Sequence, residues 1–364
     1  MNNMAETTKA RVSFAAIDPF RESYIVEPTE TQLRGRDMVG WGLCNDYPEY
    51  LLGLYNNVTS LRAIINGTID FILGDDVRCA MGATLNAKGD TAADIVRSVA
   101  KDYLLYGGFA LEVIRSEDLQ TVSEINYIDL RFLRSNKDND VFFYSEDFGR
   151  GYTAKDKVMT YPKFMPNGQH PVSILFVKTV DTQVYPAPCY AASVKACEIE
   201  RAIDEYHLNS INNGFAGSYI INFNNGVPTD QIKAEVERNI TEKFAGQGNA
   251  GRMMISWNDN KDSQTTIQKA ELQDFGEKYQ ALATHTRQQI FTAFCATPNL
   301  FGIPTETTGF SEQEFNEAFR LYNRTKVRPI QNKIADAFAK AYGVQDCLQF
   351  TPFSLDGAGE STVK

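Results

Sequence analysis

Apolar residues in the first part of the chain recur with the spacing of helices. Five of them in the segment 51–73 fall on one broad helical face, and Gly74 can end the helix there. These five are Leu61, Ile64, Ile65, Ile69 and Ile72. A second helix is predicted to begin at Thr91, because Asp94 lies where it can complete a capping box, and to end at Gly107.

The spacing changes from helical periodicity to alternation after Gly108. In the segment FALEVIR, Phe109, Leu111 and Val113 alternate with residues of the opposite face, as in a strand. Four more segments continue the alternation, with polar residues, Gly or Pro between them. They read SEINYIDL, DVFFYS, KVMTY and SILFVK. Residues 41–180 are therefore predicted to form an α+β domain.

Long helical segments dominate the second half of the chain. The predicted elements are, in order, a helix at 191–214, a strand at 218–223, a helix at 230–244, the strand RMMISW, and helices at 274–296 and 312–342. Gly343 is the expected stop of the last helix. Two long helices thus flank a small α/β insert, and a third, longer helix follows a loop.

The last helix has a clearly marked beginning. Ser311 can cap its first turn, and Glu314 can reach back to complete a capping box. Phe310 before the cap and Phe315 inside the helix can pack as a hydrophobic staple. The preceding segment, 302–309, carries a single Glu and has the composition of a loop. The sequence therefore predicts a fixed helix start directly behind a loop.

Pro329 lies in the middle of this helix. It removes a backbone hydrogen bond to the carbonyl of Thr325, and its ring clashes with that turn. The apolar face nevertheless continues on both sides of the proline without inserted turn residues. Its members are Phe315, Phe319, Tyr322, Ile330, Ile334, Phe338 and Tyr342. Two interpretations stay open, a single kinked helix and two helices with a break at 326–329.

The composition is that of a globular protein. Of the 364 residues, 43% are hydrophobic and 23% are charged, and the net charge is −10. No cluster of Lys and Arg is evident along the sequence, so tight binding to a DNA backbone is not expected. The chain has no uncharged apolar stretch of about 18 residues. Its first residues lack an apolar signal core, so we expect a cytoplasmic protein without a membrane span.

Residues that could carry chemistry are scattered along the chain. The six cysteines form no CxxC pair and are expected to be reduced thiols, and the three histidines lie far apart. They are Cys44, Cys79, Cys189, Cys197, Cys295, Cys347, His170, His207 and His285. The predicted helix at 191–214 carries Glu198, Glu200, Asp204 and Glu205, which are expected to form a solvated face. The sequence therefore predicts no catalytic residue, metal site or cofactor.

A glycine-rich motif at 246–251, GQGNAG, matches the pattern G-x-G-x-x-G. A dinucleotide site needs this motif after a strand and before a helix, and here a helix precedes it and a strand follows. Arg252 and Met253 stand where a phosphate-binding loop has Lys and Ser or Thr. The motif is therefore expected to be a turn, and a nucleotide-binding enzyme remains an alternative function.

Four passages resemble, in the same order, the portal protein family of tailed bacteriophages. DYLLYGGFALEVIRS resembles the family's passage from helix to strand, with Gly108 in place of the usual Asn. YPAPCYAASVKACEIERAIDEYHLNSINNGFAGSYIINF resembles its stem helix and following strand, with Ala187 before Pro188 in place of Ser. FAGQGNAGRMMI is similar to its next turn and strand, and the block from IFTAFCATPNLFG through Pro329 resembles its loop and long helix. The resemblance covers residues 41–353.

The resemblance implies an elongated α+β fold with an α/β wing, two long stem helices, a small α/β clip, a tunnel loop and a long kinked helix. The implied segments are an N-terminal arm at 1–40, the wing at 41–188, stem helices at 189–217 and 273–297, the clip at 218–272, the tunnel loop at 298–310, the kinked helix returning to the wing at 311–343, and a short tail at 344–364. The family's C-terminal crown is expected to be reduced or absent.

The resemblance also implies roles for individual residues. The tunnel loop would face DNA in the channel through Asn299, Pro304, Thr305, Glu306, Thr307, Thr308 and Gly309. The clip would contact the packaging motor and the adaptor through Asn224, Asn225, Gln247 and Asn249. Ser311, Glu314 and Pro329 would set the cap and the kink of the long helix.

The implied function is structural. Copies of the chain would form a ring, usually of twelve, at one capsid vertex of the virion, after assembly in the host bacterial cytoplasm. The implied partners are double-stranded DNA that passes without tight binding, the terminase large subunit, the head–tail adaptor, and the major capsid protein or scaffold. An acidic chain suits a DNA conduit because it repels phosphates. Another ring or adaptor protein of the virion is a further alternative, and no membrane contact is expected.

Overall fold

The structure is a computed structural model that describes most of the chain between residues 31 and 353. The described residues are 31–32, 37–42, 44–148, 158–179, 184–212, 219–223, 229, 231–232, 235, 253–257, 275–302 and 312–353. Within these ranges, every helix is too short or too polar to span a membrane.

The elements up to residue 178 are β1 (Thr31–Gln32), β2 (Val39–Gly40), α1 (Tyr47–Asn57), α2 (Thr59–Leu73), β3 (Asp76–Cys79), α3 (Ala92–Tyr106), β4 (Gly108–Arg115), β5 (Val122–Ile128), β6 (Leu133–Ser135), β7 (Val141–Tyr144), β8 (Met159–Pro162) and β9 (Val172–Lys178). The later elements are α4 (Val194–Asn212), β10 (Tyr219–Phe223), β11 (Met253–Trp257), α5 (Phe275–Ala293), α6 (Glu312–Tyr322), a π-helical turn (Asn323–Val327), α7 (Arg328–Tyr342) and β12 (Leu348–Thr351).

The segment predicted as one helix at 51–73 is two helices, because the chain breaks at Val58. Val58 has an extended backbone (φ −112°, ψ 108°) between α1 and α2. The side chain of Asn57 donates to the carbonyl of Gly53 at 2.7 Å, a local bond that competes with a regular helix. The five predicted apolar residues are nevertheless all buried. The predicted face is therefore confirmed, and the single helix is wrong.

The predicted limits of α3 are confirmed by its hydrogen bonds. Thr91 Oγ1 accepts from the Asp94 N–H at 3.3 Å, and the Asp94 carboxylate accepts from the Thr91 N–H at 2.9 Å. The Asp94 carboxylate also accepts from the Thr91 hydroxyl at 2.6 Å, and this bond, followed by the one from the Thr91 N–H, holds the pKa of Asp94 below its usual value. Gly107 ends the helix with a left-handed backbone (φ 87°). A Cβ atom there would lie 2.2 Å from the carbonyl oxygen of Ala187, so only Gly fits.

The strands predicted after Gly108 form two antiparallel sheets. One sheet has the strand order β5-β4-β9, and the other has the order β1-β2-β6-β7-β8. Ala110 of β4 is paired with Ile128 of β5 on one side and with Phe176 of β9 on the other. A bridge between Lys163 and Ile174 connects the end of β8 to β9. The α+β class predicted from the sequence is therefore confirmed.

One hydrophobic core connects the first three helices, the two sheets and the helices of the second half. Trp41 stacks on Tyr185 in this core, with 4.6 Å between the ring centroids. Arg134 is also fully buried, and its guanidinium donates to the backbone carbonyls of Asn45 and Arg131 at 2.8 Å each. A buried guanidinium is stable only when its donors are hydrogen-bonded, so Arg134 fixes the backbone around it.

The long helices α4 and α5 pack against each other and run antiparallel. Tyr190, just before α4, stacks on Phe294, just after α5, at 5.4 Å. Farther along the pair, Tyr206 of α4 stacks on Tyr279 of α5 at 5.0 Å. The two stacked pairs hold the helices together over most of their described length.

The strands β10 and β11 lie between these two helices in the sequence and pair in parallel, with Ile221 opposite Ile255. A parallel pair requires a crossover connection. Of the connection at 224–252, the structure describes only residues 229, 231–232 and 235, and the last three are helical. The predicted long helices and strands are confirmed in their order, whereas most of the helix predicted at 230–244 lies outside the described residues.

The last helix runs from Glu312 to Tyr342 without interruption. The helix α6 continues into the π-helical turn, where the N–H of Arg328 donates to the carbonyl of Asn323, five residues back. Pro329 lies two residues after the π-helical turn inside this continuous helix, where its missing N–H removes one backbone hydrogen bond. The interpretation of one continuous helix is therefore confirmed, and the break at 326–329 is wrong. A π-helical turn is a recognised cause of helix bending.

Candidate functional site

The chain leaves α5 through a short turn that ends in a cluster of aromatic rings. This turn, Pro298–Phe301, is a single turn of 3-10 helix. The ring of Phe301 lies 5.9 Å from Phe71, 6.0 Å from Phe291 and 5.7 Å from Tyr322, measured between centroids. The predicted tunnel loop therefore begins at a point fixed against α2, α5 and α6.

The chain enters α6 at the same cluster. Phe319 packs edge to face on Phe71 of α2 at 5.2 Å. The hydroxyls of Tyr322 and Thr68 share a hydrogen bond of 2.7 Å, and burial raises the pKa of Tyr322, so its hydroxyl stays neutral. The described parts of the chain before and after the segment 303–311 thus both pack on α2.

Gly67 of α2 makes room for the first of these anchors. A Cβ atom at this position would lie 2.6 Å from Cδ1 of the Phe301 ring. The missing side chain lets the ring rest directly on the helix backbone, so any larger residue must displace Phe301.

Most of the predicted site residues lie outside the described residues. They are Asn224, Asn225, Gln247, Asn249, Pro304, Thr305, Glu306, Thr307, Thr308, Gly309 and Ser311. Phe310 and the motif at 246–251 also lie outside them, so the capping box, the staple and the role of the glycines stay predictions. Asn299 is half-buried, and its carbonyl accepts from the Gly302 N–H at 3.3 Å. Glu314 and Pro329 are exposed.

The π-helical turn keeps one face of the last helix buried. Tyr322 and Val327 are both buried although they are five residues apart. In an α-helix, five residues would place Val327 about 140° away from Tyr322. The π turn absorbs one extra residue, so Ile330 and Ile334 also reach the core. The sequence prediction missed Val327 because it assumed α-helical spacing throughout.

The solvent face of the same helix carries three arginines. Arg320, Arg324 and Arg328 are exposed and follow one another at intervals of four residues, and we call them the arginine stripe. Within the described part of the chain, none of the three forms an ion pair. The expectation that the chain lacks a basic cluster for binding DNA stays a prediction. An interval of four residues places side chains near one another on an α-helix, and here the π-helical turn at Asn323–Val327 lies within the series.

Glu200 of α4 is turned toward the core and caps α2. The expectation of a solvated face is wrong for this residue, which is 9% exposed. Its Oε1 accepts from the N–H of Ser60 at 3.2 Å and from the Ser60 hydroxyl at 2.9 Å. The N-cap residue of α2 is Val58, which has no side-chain acceptor. A carboxylate from another helix therefore satisfies the first turn and complements the helix dipole.

Glu198 is also turned away from solvent, so only Asp204 and Glu205 are exposed to solvent as the sequence predicted. Its carboxylate forms an ion pair with Arg201 at 2.7 Å, and its side chain is 12% exposed. It also accepts a hydrogen bond from the Tyr50 hydroxyl, and burial is the main cause that raises the pKa of Tyr50. Asp204 and Glu205 are exposed. The α4 helix thus presents acids to both the core and the surface.

We expect Glu200→Ala to lower the free energy of unfolding by about 2 kcal/mol, because it removes the charged acceptor of the α2 cap. Denaturant unfolding of the purified chain measures this loss of stability. The matched control is Glu205→Ala on the exposed side of the same helix, which should change stability by less than about 0.5 kcal/mol. Equal effects of the two substitutions would contradict the capping role.

Exposed apolar side chains lie along the pair formed by α4 and α5. Tyr206 is 46% exposed, Leu208 is 58% exposed and Leu282 is 40% exposed. Large apolar groups on a helical surface are typical of protein–protein contacts when they recur on one element. These residues were not predicted from the sequence. The signal that could have identified them is that α4 carries apolar residues on both of its faces.

Two of the three histidines contact other side chains, and His170 is exposed. His285 is hydrogen-bonded to Gln289 at 3.0 Å, and the ring of His207 lies 6.1 Å from Tyr279. Among the residues that the structure describes, no group of three or more His, Cys, Asp or Glu could hold a metal ion. The features of the described residues that could serve a function are therefore the exposed surfaces of the helices and the residues packed on either side of the segment 303–311.

Comparisons with known proteins identify the family of the chain. The family described as phage portal protein matches residues 84–359. The fold resembles a chain in the virion of a native gene transfer agent particle, with a TM-score of 0.54 and 16% identity over 85% of this chain and 84% of that chain. It also resembles a chain in the neck of the native gene transfer agent particle, with a TM-score of 0.53 and 17% identity over 85% of each chain.

A third solved structure, an HK97 family phage portal protein from Corynebacterium diphtheriae, has a TM-score of 0.45 and 10% identity over 84% of this chain and 94% of that chain. No curated protein matches the chain. At such identities the two gene transfer agent structures indicate the fold, and the family match covers well over half of the sequence. The chain belongs to the phage portal protein family.

Proposed function

We propose that copies of this chain form a closed ring at one vertex of a capsid, and that DNA is packaged and ejected through the channel of the ring. The capsid portal role follows from the family. The ring is supported by the likeness to a chain of the gene transfer agent neck, which was computed with C12 symmetry. The ring, the channel and the partners belong to the proposal.

The observation that carries the channel is the anchored segment 303–311. Phe301 before the segment and Tyr322 in the helix after it both pack on Phe71 of α2, at ring distances of 5.9 and 6.3 Å. A loop fixed at both ends can extend from the surface while the core behind it stays packed. We therefore assign the segment 298–310 as the tunnel loop, with Asn299 and residues 304–309 toward DNA.

The remaining segments follow from this assignment. The region 41–188 with its two sheets corresponds to the wing, α4 and α5 to the stem, β10 and β11 to the clip, and the continuous helix from Glu312 to Tyr342 to the return toward the wing. The exposed Tyr206, Leu208 and Leu282 support a stem that packs against neighbouring copies. The clip, with Asn224, Asn225, Gln247 and Asn249, would contact the terminase large subunit and then the head–tail adaptor.

The net charge of −10 supports a channel that does not hold its cargo. Acidic surfaces repel phosphates and avoid the counterion release that gives DNA-binding proteins their affinity. The particle, with its major capsid protein or scaffold, would assemble in the host bacterial cytoplasm and carry the ring in the virion.

The ring can be tested directly by size-exclusion chromatography with light scattering, followed by negative-stain imaging of the purified chain. Rings with a central hole are the expected result. A small oligomer whose melting temperature rises with NAD or ATP would instead favour the nucleotide-binding alternative at 246–251. Rings that package no DNA would favour another ring or adaptor protein of the virion.

The arginine stripe fits a contact between copies in this ring. Its three guanidinium groups are exposed and form no ion pair within the described chain, while each copy carries a net charge of −10. Copies of equal charge repel each other unless positive groups lie at their contacts. Exposed carboxylates such as Asp204 and Glu205 are the kind of partner that a neighbouring copy can offer.

We expect the triple variant Arg320→Glu, Arg324→Glu, Arg328→Glu to form at least tenfold fewer rings at low salt, because three attractive contacts per interface become repulsive. Light scattering at two salt concentrations measures the ring fraction, and high salt should reduce the difference between variant and wild type. Lys88→Glu, at an exposed loop position, is the control and should assemble normally. Normal rings with altered DNA retention would place the stripe against DNA instead.

A further inference from the structure

An Asn-Gly pair lies in an exposed turn between β8 and β9. Residues 165–168 form this turn, and the N–H of Gly168 donates to the carbonyl of Met165 at 2.9 Å. Asn167 is exposed, and within the described part of the chain no hydrogen bond holds its side chain. Gly168 has no side chain that could shield its backbone nitrogen. The carboxamide of Asn167 can therefore rotate beside that nitrogen.

Arg115 holds the first half of the turn in place. Its Nη2 donates to the carbonyl of Met165 at 2.9 Å and to that of Pro166 at 2.7 Å, and the residue is 8% exposed. A buried guanidinium with satisfied donors keeps its charge, and a positive charge favours anionic groups near it. The turn thus combines a fixed first half, a free carboxamide and a neighbouring positive charge.

A second Asn-Gly pair among the described residues has a different backbone. Asn66 and Gly67 lie inside α2, where Asn66 Oδ1 accepts from the Tyr55 hydroxyl at 2.6 Å. Asn66 is exposed, like Asn167, so solvent reaches both side chains. The regular helical backbone keeps the Gly67 nitrogen away from Cγ of Asn66, whereas motion of an exposed turn can bring the corresponding atoms together. The pair in α2 is therefore a natural control for the pair in the turn.

We propose that Asn167 is a site of spontaneous modification, at which water replaces the side-chain amide through a cyclic imide. The Gly168 nitrogen loses its proton to hydroxide and forms a bond to Cγ of Asn167, and the side-chain nitrogen takes up a proton and leaves as ammonia. Water then adds to one of the two imide carbonyls and breaks its bond to the shared nitrogen. The product at position 167 is an aspartate or an isoaspartyl linkage. One water is consumed, one ammonia is released, and no electrons are transferred.

The modification would change both the charge and the backbone of the turn. Either product adds a carboxylate next to the two residues whose carbonyls Arg115 binds, and opposite charges attract at such a short separation. The isoaspartyl linkage also adds one methylene group to the main chain. The reaction does not depend on the proposed portal function. In a released particle, where new synthesis does not replace the chain, the modified fraction would increase with time.

The test incubates the purified full-length chain at pH 7.0 and 8.5, then digests it and analyses the peptides by mass spectrometry. The peptide containing Asn167 should become heavier by the difference between a hydroxyl and an amino group. Its rate should be at least about tenfold that of the peptide containing Asn66, because the reaction depends on the orientation of the two atoms. The rate at Asn167 should be several times higher at pH 8.5, since hydroxide must remove the proton from the nitrogen.

A synthetic peptide with the sequence of residues 163–171 provides the reference for an unrestrained chain. The folded chain should react at Asn167 within about tenfold of the rate of this peptide. A slower reaction would mean that the turn protects the pair and would overturn the proposal. Equal rates at Asn167 and Asn66 would also overturn it. A product without isoaspartate, as determined by electron-transfer fragmentation, would indicate direct hydrolysis of the amide and would exclude the cyclic imide.

Two variants test the role of the Gly168 nitrogen. In Gly168→Ala, a Cβ atom would lie 3.1 Å from the Met165 carbonyl oxygen, and the methyl group hinders attack by the adjacent nitrogen. The reaction at Asn167 should therefore slow at least about tenfold. Asn167→Gln should abolish it, because the longer side chain forms its larger ring far more slowly. Reaction of Gly168→Ala at the wild-type rate would contradict attack by this nitrogen, and a thermal melt checks that both variants are folded.

Discussion

Deletion of Thr305–Gly309 is expected to leave rings intact and to reduce DNA packaging or retention by at least tenfold. The physical reason is the position of the anchors. Phe301 and Tyr322 hold the two ends of the loop through contacts that the deletion does not touch. The core and the ring contacts should therefore survive, while the part of the chain proposed to face DNA is lost. Negative-stain imaging measures the rings, and nuclease-protected DNA per particle measures packaging.

A substitution that keeps the length of the loop distinguishes the effect of its hydroxyl groups from the effect of its length. In the triple variant Thr305→Ala, Thr307→Ala and Thr308→Ala the loop loses its hydroxyls and can still extend into the channel. Near-normal packaging by this variant would show that the loop acts by its length. Failure of the deletion variant to form rings would show that the segment is part of an interface between copies. Normal packaging after the deletion would remove the tunnel-loop assignment.

Gly107→Ala is expected to lower the free energy of unfolding by about 4 kcal/mol, near the upper end for a single substitution. The residue has a left-handed backbone, which costs other L-amino acids about 1 kcal/mol. The larger part comes from the added Cβ atom, which would lie 2.2 Å from the Ala187 carbonyl oxygen and 2.9 Å from the Pro188 nitrogen. Backbone atoms cannot move aside as a flexible side chain can, so the connection that leads into α4 must shift.

Gly89 provides a matched control for this prediction. Its φ of 86° is nearly the same as the 87° of Gly107, and an added Cβ atom would have no neighbour within 4 Å. Gly89→Ala should therefore cost only the backbone preference, about 1 kcal/mol. Denaturant unfolding of both variants separates the clash from the conformational strain. A loss at Gly107 no larger than that at Gly89 would mean that the turn before α4 can adjust freely.

The limits of α3 were predictable because their signals are local. The capping box needs only Thr91 and Asp94, three residues apart, and the stop needs only Gly107. The alternation of strands is equally local, so β4, β5 and β9 were also evident in the sequence. The break at Val58 was not evident, because buried apolar residues recur with helical spacing on both sides of it.

The functional surfaces were predicted less completely than the fold. The acids of α4 gave no sign of which helix they would meet, so the burial of Glu200 and Glu198 was missed. The arginine stripe was missed for a related reason. The search for a basic cluster considered only arginines and lysines that are adjacent in the sequence, and these arginines are four residues apart. The π-helical turn also changes the number of residues per turn at this point.

The sequence by itself determined the order of helices and strands, the cap of α3, the glycine stops and the membership of the portal family, because each depends on short segments or their order. Only the tertiary structure decided that Glu200 caps Ser60, 140 residues away, and that Tyr322 meets Thr68, 254 residues away. Contacts of this kind depend on how whole helices and strands pack, and no periodicity within one segment encodes the partner in another.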